Sequence, residues 1–257
     1  MRALSWRNGN GKLRVDGEGL MGSGGNEDLR RRLALALDFD DNVEALRWAL
    51  RLKNYFGVAK VGLELFSASG PSVVAALVDE GFEVFVDLKL ADIPTTTRKA
   101  AVVLGAFGAR YLTVHVSAGA STLRAGVEGF SEGAERAGLP KPVTLGITVL
   151  TSEVDAPAAL LRDRVEAAVE AGCGGIVCAA ADLAVANEVA PELLKVVPGI
   201  RLLGSGAHDQ ARTATPSQAA RAGADLLVIG RAVTQAEVPE EAAETIVAEL
   251  VAAGVAG

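Results

Sequence analysis

The sequence predicts an α/β protein, a single domain whose eight parallel strands close into a (β/α)8 TIM barrel. Three observations carry that expectation. Short apolar runs of β type alternate with helical patterns along most of the 257 residues, and such alternation builds parallel sheets through right-handed crossovers. Eight units fall within about 225 residues, the span a closed barrel uses. No Gly-x-Gly-x-x-Gly turn follows the first run, which ranks an open doubly wound sheet second.

Taken in order, residues 1–30 are glycine-rich and aperiodic, and they read as a flexible extension ahead of a domain over 31–257. Met21 stands within it as an alternative start, and "GSGG" (22–25) reads as linker, since no strand precedes it and no lysine follows. The first strand is read at "LALALDF" (33–39), followed by the helix "NVEALRWALRLKNYF" (42–56). Strands two to four are "VAKVGLEL" (58–65), "EVFVDLKL" (83–90) and "YLTVHV" (111–116). "VTLGITVL" (143–150) is the fifth, with the helical "VEAAVEA" (165–171) behind it, and "GIVCAA" (175–180) is the sixth. "RLLGSG" (201–206) and "DLLVIGRAV" (225–233) complete the set.

Composition narrows the function. Half the chain is apolar and aromatics are few, which suits tight helix-on-sheet packing. The net charge of −7, without a long basic run, argues against nucleic acid or an anionic membrane as partner. No uninterrupted apolar stretch of about twenty residues marks a membrane span, and no secretory signal core opens the chain. Cys173 and Cys178 lack zinc-like spacing and read as reduced core thiols, which fits a cytoplasmic protein.

The pleat of the strands then places the charges. Val84, Val86, Leu88 and Leu90 share the face that suits covering helices, whereas Phe85, Asp87 and Lys89 share the inward face. By the same alternation Leu33, Leu35 and Leu37 point out, and Ala34, Ala36 and Asp38 point in. In the second strand Val61, Leu63 and Leu65 point out, and Lys60 and Gly62 point in. Asp38, Lys60, Asp87 and Lys89 thus converge on the C-terminal mouth, where such barrels carry their active sites. Asp92 lies in the loop just beyond.

Buried ion pairs add little to stability because desolvation offsets much of their attraction, so a purely structural charge layer is the weaker explanation. An ammonium fixed among carboxylates can donate a proton to a developing carbanion, while the neighbouring carboxylate repels a substrate carboxylate. The pattern points to decarboxylation with no metal and no organic cofactor. At the other end of the chain "PGIRLLGSGAHDQ" (198–210) and "VIGRAV" (228–233) set glycine and arginine near the ends of strands seven and eight. Those two loops often bind phosphate, through backbone N–H groups and a bidentate arginine. His115, ending strand four, reads equally as a satisfied core histidine or a polar pocket wall, and His208 reads as solvent-facing.

On these residues the chain resembles the orotidine 5'-phosphate decarboxylase family, in its bacterial form. "DLKLADIPTT" is similar to the family's Asp-x-Lys-x-x-Asp-Ile-Pro signature, and "LALDFDD", "KVGLELF", "LTVHVSAG", "LGITVLTS", "TPSQAARAGAD" and "VIGRAVTQA" follow in the family's order. The resemblance spans about residues 33 to 240. It implies conversion of orotidine 5'-phosphate to UMP and carbon dioxide, with Lys89 giving a proton to C6 of the pyrimidine. Asp87 would lie against the departing carboxylate, with Lys60 pairing to it and to the ribose, and Asp38 would hold a ribose hydroxyl. Asp92, with Ile93, Pro94 and Thr96, would reach into the partner's site of a homodimer. Thr151 would help bind the pyrimidine, and Arg201, Gln210, Gly230 and Arg231 would grip the phosphate. Ala91 and Thr95 stand where bacterial relatives commonly have histidine and asparagine.

Two other readings compete. The 3-keto-L-gulonate 6-phosphate decarboxylases share Asp-x-Lys-x-x-Asp but rely on magnesium; here "IP" follows Asp92, and Lys60 would set a positive charge beside the cation. A non-catalytic barrel would be expected to have lost Lys89, an aspartate or the phosphate arginine, and all are present.

Overall fold

A computed structural model describes residues 23–150, 157–202 and 213–255. Its strands are β1 (Leu33–Ala36), β2 (Val58–Gly62), β3 (Glu83–Leu90), β4 (Tyr111–His115), β5 (Val143–Ile147), β6 (Gly175–Val177), β7 (Leu194–Val197) and β8 (Leu226–Ile229). They pair in sequence order, all parallel, and β1 joins β8 through Leu33–Leu227, Ala34–Val228 and Leu35–Ile229, so the sheet closes. The expected (β/α)8 barrel is the fold.

Helices cover the outside. α1 (Ser23–Arg31) precedes the barrel, and α2 (Asn42–Arg51), α3 (Leu63–Ser69), α4 (Ser72–Asp79) and α5 (Pro94–Ala106) fill the first three crossovers. α6 (Ala120–Arg136), α7 (Ala158–Glu170), α8 (Leu183–Val189), α9 (Pro216–Arg221), α10 (Arg231–Thr234) and α11 (Pro239–Ala252) complete the ring. Asp41 caps α2 by accepting from Glu44 N, and Thr215 with Gln218 forms a capping box on α9, so these starts are fixed by short polar side chains. Among the described residues no helix is long and apolar enough to cross a membrane.

The alternation read from the sequence separates two cores. Leu33, Leu35, Leu37, Val61, Val84 and Val86 pack outward against the helices. Ala34, Ala36, Val58, Phe85, Tyr111 and Leu145 fill the barrel interior. Phe85 and Tyr111 meet edge-to-face at 6.1 Å.

Four expectations need correction. The seventh strand is Leu194–Val197, not 201–206, of which 203–206 fall outside the described residues. A lysine disguises that strand: Lys195 is 2% exposed because its ammonium donates to the carbonyls of Ala190 and Pro191, at 2.8 Å each. The second strand stops at Gly62, and Leu63 opens α3 and is exposed. Arg231 belongs to α10 instead of a strand. Finally, α1 begins inside the segment expected as an extension. Its Leu29 is buried in the outer core and Gly57 N donates to Arg30 O at 2.8 Å. One leucine in nine residues sets no period, which hid this helix from the sequence.

Candidate active site

Three adjacent strands deliver the four inward charges to one mouth, as expected. Lys60, on β2, donates to Asp38 Oδ1 at 3.0 Å and lies 4.0 Å from Asp87 Oδ2. Lys89 donates to both oxygens of Asp87 at 2.9 Å each. The result is a continuous alternation of Asp38, Lys60, Asp87 and Lys89. Lys60 is almost buried, whereas the Lys89 side chain keeps 35% of its surface open toward the mouth. The partners thus hold Lys89 while leaving its ammonium within reach of a ligand.

Local backbone features make room for this chain of charges. A Cβ at Gly62 would stand 3.1 Å from Lys60 Nζ and 3.2 Å from Asp38 Oδ1, so glycine keeps the pair together. In β3 the pairing runs Phe85–Tyr111 and Val86–Leu112, then jumps to Leu90–Val114. Lys89 sits in that bulge with φ of 51°, the left-handed region, as no other non-glycine described residue does. Thr113, fully buried on β4, accepts from Lys89 N at 2.8 Å and donates to Asp87 Oδ1 at 3.0 Å. Below them Tyr111 donates to Glu83 at 3.0 Å. Burial, with that carboxylate beside it, pushes the Tyr111 hydroxyl up to about 12, so the hydroxyl keeps its proton and goes on donating to Glu83.

Above the charges opens a cavity of about 550 Å3. Asp38, Lys60, Asp87 and Lys89 line one side, and Arg201 after β7, Gly230 after β8 and Arg231 at the start of α10 line it as well. Apolar wall comes from Ile147, Val149, Leu150 and Val177, at the ends of β5 and β6. A flat ring fits between the apolar wall and the lysines, and an anion fits the arginine end. Sequence reasoning missed this wall, together with Phe39, Thr234 and Gln235, which also line the cavity. For the wall and Phe39 the signal was available, since each lies at or just past the C-terminal end of a strand, whereas Thr234 and Gln235 come from the end of α10.

Not every candidate meets in this cavity. Asp92, Ile93 and Pro94 line a separate shallow groove with Ser117, Ser121 and Thr122. Thr122 Oγ1 donates to Asp92 O at 3.0 Å, Asp92 Oδ1 accepts from Ile93 N at 2.6 Å, and Ile93 stays 65% exposed. Thr96 is exposed on the first turn of α5. His115 Nδ1 pairs with Ser117 Oγ at 2.7 Å beside that groove and does not line the cavity. Thr151, Gln210 and His208 lie outside the described residues.

Residues 31–246 match the model of the family described as Orotidine 5'-phosphate decarboxylase / HUMPS family. The chain belongs to that family. A protein named orotidine 5'-phosphate decarboxylase from Anaeromyxobacter sp. (strain K) is 43% identical over 230 residues, covering 85% of this chain and 98% of that protein. Its namesake from Pseudomonas putida (strain F1) is 42% identical over 229 residues, covering 85% and 96%. The crystal structure of orotidine 5'-phosphate decarboxylase from Lactobacillus acidophilus superposes with a TM-score of 0.72 at 31% identity, covering 85% of this chain and 98% of that one. The family's name joins two activities, and the relatives named here carry the first.

Proposed function

We propose that this protein decarboxylates orotidine 5'-phosphate to UMP and carbon dioxide, the last step of UMP synthesis. One observation carries the reading: a carboxylate-held ammonium, Lys89 on Asp87, faces a cavity with an apolar wall and arginines at its rim. The C6 carboxyl group leaves as carbon dioxide and its bonding electron pair stays on C6. Lys89 delivers a proton to that carbon and later regains one from water. The Asp87 carboxylate stands where the substrate carboxylate must be crowded, and it also keeps Lys89 in place; preorganised charge of this kind lowers the barrier most. Proton donor and counter-charge are both side chains, so the reading assigns no metal and no organic cofactor.

The remaining residues bind. Asp38 and Lys60 hold the ribose hydroxyls, and Arg201, Gly230 and Arg231 hold the phosphate, with Gln210 added from the segment not described. Thr151 contacts the pyrimidine. Grip on this remote phosphate lowers the barrier at C6, because binding energy far from the reacting atoms helps orient them. Asp92, with Ile93, Pro94 and Thr96, serves the partner's site in a homodimer, which accords with its place outside the cavity of its own chain. Cys173 and Cys178, buried and not disulfide-bonded, accord with the cytoplasm.

Release of carbon dioxide from carboxyl-labelled orotidine 5'-phosphate tests the reading directly. Wild type releases label and forms UMP in equal amount. Absence of both from the folded protein contradicts the reading.

A further inference from the structure

The barrel's ladder is interrupted between β3 and β4, where Asp87, Leu88 and Lys89 stand opposite Thr113. Thr113 packs on the interior face between Leu145 of the apolar interior cluster on one side and Asp87 on the other. A valine of the same shape would suit a strand there as well, and would bring no polar atom to bury. The hydroxyl therefore calls for a reason. It is fully buried and absent from the cavity wall, so it does not meet a ligand.

Its hydrogen bonds supply the reason. A hydroxyl has one proton, and because Oγ1 accepts from Lys89 N at 2.8 Å, that proton is left for Asp87 Oδ1 at 3.0 Å. The same oxygen thus holds the backbone of the proposed proton donor and the carboxylate of its partner. The left-handed backbone at Lys89 is one that L residues rarely adopt, and it persists only where its surroundings over-determine it.

We propose that Thr113 is a positioning residue: its hydroxyl pins the Lys89 bulge to the Asp87 carboxylate and so aims the ammonium before substrate arrives. The inference rests on the reading of Lys89 as proton donor. It implies that the hydroxyl governs turnover and leaves binding alone, because the arginine end of the cavity lies on segments after β7 and β8 that Thr113 does not touch.

Steady-state kinetics of Thr113→Val and Thr113→Ser, with UMP binding measured by calorimetry, provide the test. Thr113→Val lowers kcat about 10²-fold, as misplacement of a reacting group by about 1 Å does, while KM and UMP affinity stay near wild type. Thr113→Ser restores most of kcat. If Thr113→Val does not fold, Thr113→Ala removes the same hydroxyl without adding volume. A folded variant lacking the hydroxyl that keeps its kcat overturns the proposal, as does a loss that serine fails to rescue. A crystal structure of the variant separates this failure from failure of the decarboxylase reading. Whatever the wild type turns over, Lys89 must leave its φ near 51° once the hydroxyl is gone, and Lys89 unmoved overturns the proposal.

Discussion

Lys89 reaches back two residues along its own strand and places its ammonium 2.9 Å from each carboxylate oxygen of Asp87. In the proposed reaction that pair fixes where a proton can be delivered. Asp87→Asn halves the contact and leaves Lys89 with an uncompensated charge. Turnover falls by at least about 10²-fold, and stability by about 1–3 kcal/mol, between the ranges for exposed and buried pairs. Urea unfolding beside the activity assay checks both. Unchanged turnover with reduced stability would make the pair structural.

Two glycines separate the site from the scaffold. At Gly62 an added methyl meets only the flexible ends of Lys60 and Asp38, so Gly62→Ala costs less than about 1 kcal/mol but displaces the pair proposed to bind the ribose and raises KM. At Gly133 the methyl would stand 2.0 Å from Val102 O, which forces α6 off α5. Gly133→Ala therefore lowers stability by about 1–3 kcal/mol or more, with KM near wild type in the protein that folds. Thermal melts and KM values tell the two apart.

Alkaline pH weakens the fold through buried acids that stay protonated. Burial pushes the Cys173 thiol from 9.0 up to about 12. Its contribution is complete below about pH 9 and declines as pH rises toward about 12, because only the unfolded thiol ionises in that window. The limiting slope is about 1.4 kcal/mol per pH unit. Cys173→Ala loses that slope, whereas Tyr111 and Tyr55, also raised to about 12, act equally in both proteins. Urea midpoints at about pH 8 and about pH 10 should diverge less for the variant than for wild type.

The proposed sharing of Asp92 across a homodimer makes a prediction that no single chain can satisfy. Asp92→Asn and Lys89→Ala each abolish most activity alone. Unfolded together and refolded, they form hybrids in which one site has both native residues, so about a quarter of wild-type activity returns under random pairing. Mixtures that stay inactive would remove Asp92 from the partner's site.

The sequence exposed the parity of the strands better than their limits. Alternation in "LALALDF" and "EVFVDLKL" put Asp38, Asp87 and Lys89 on the inner face, and the barrel keeps them there. The bulge at Lys89 was invisible, because two extra residues preserve parity while changing register. β7 was misplaced because Lys195 interrupts its short apolar run, and only the tertiary fold shows the carbonyls that satisfy that lysine. Thr113 was legible in principle: "YLTVHV" turns Tyr111, Thr113 and His115 to one face, an unusual polar series for a barrel interior. What it bonds to depended on the register of β3 against β4, which local pattern does not determine.

The most direct test follows the absorbance of orotidine 5'-phosphate, with a chelator present, for wild type and Lys89→Ala. Turnover that survives chelation and collapses in the variant, with UMP binding retained, is the predicted result. A well-folded Lys89→Ala protein that decarboxylates at the wild-type rate, or a wild type that stops when metal is removed, would contradict the assignment of Lys89 as the metal-free proton donor.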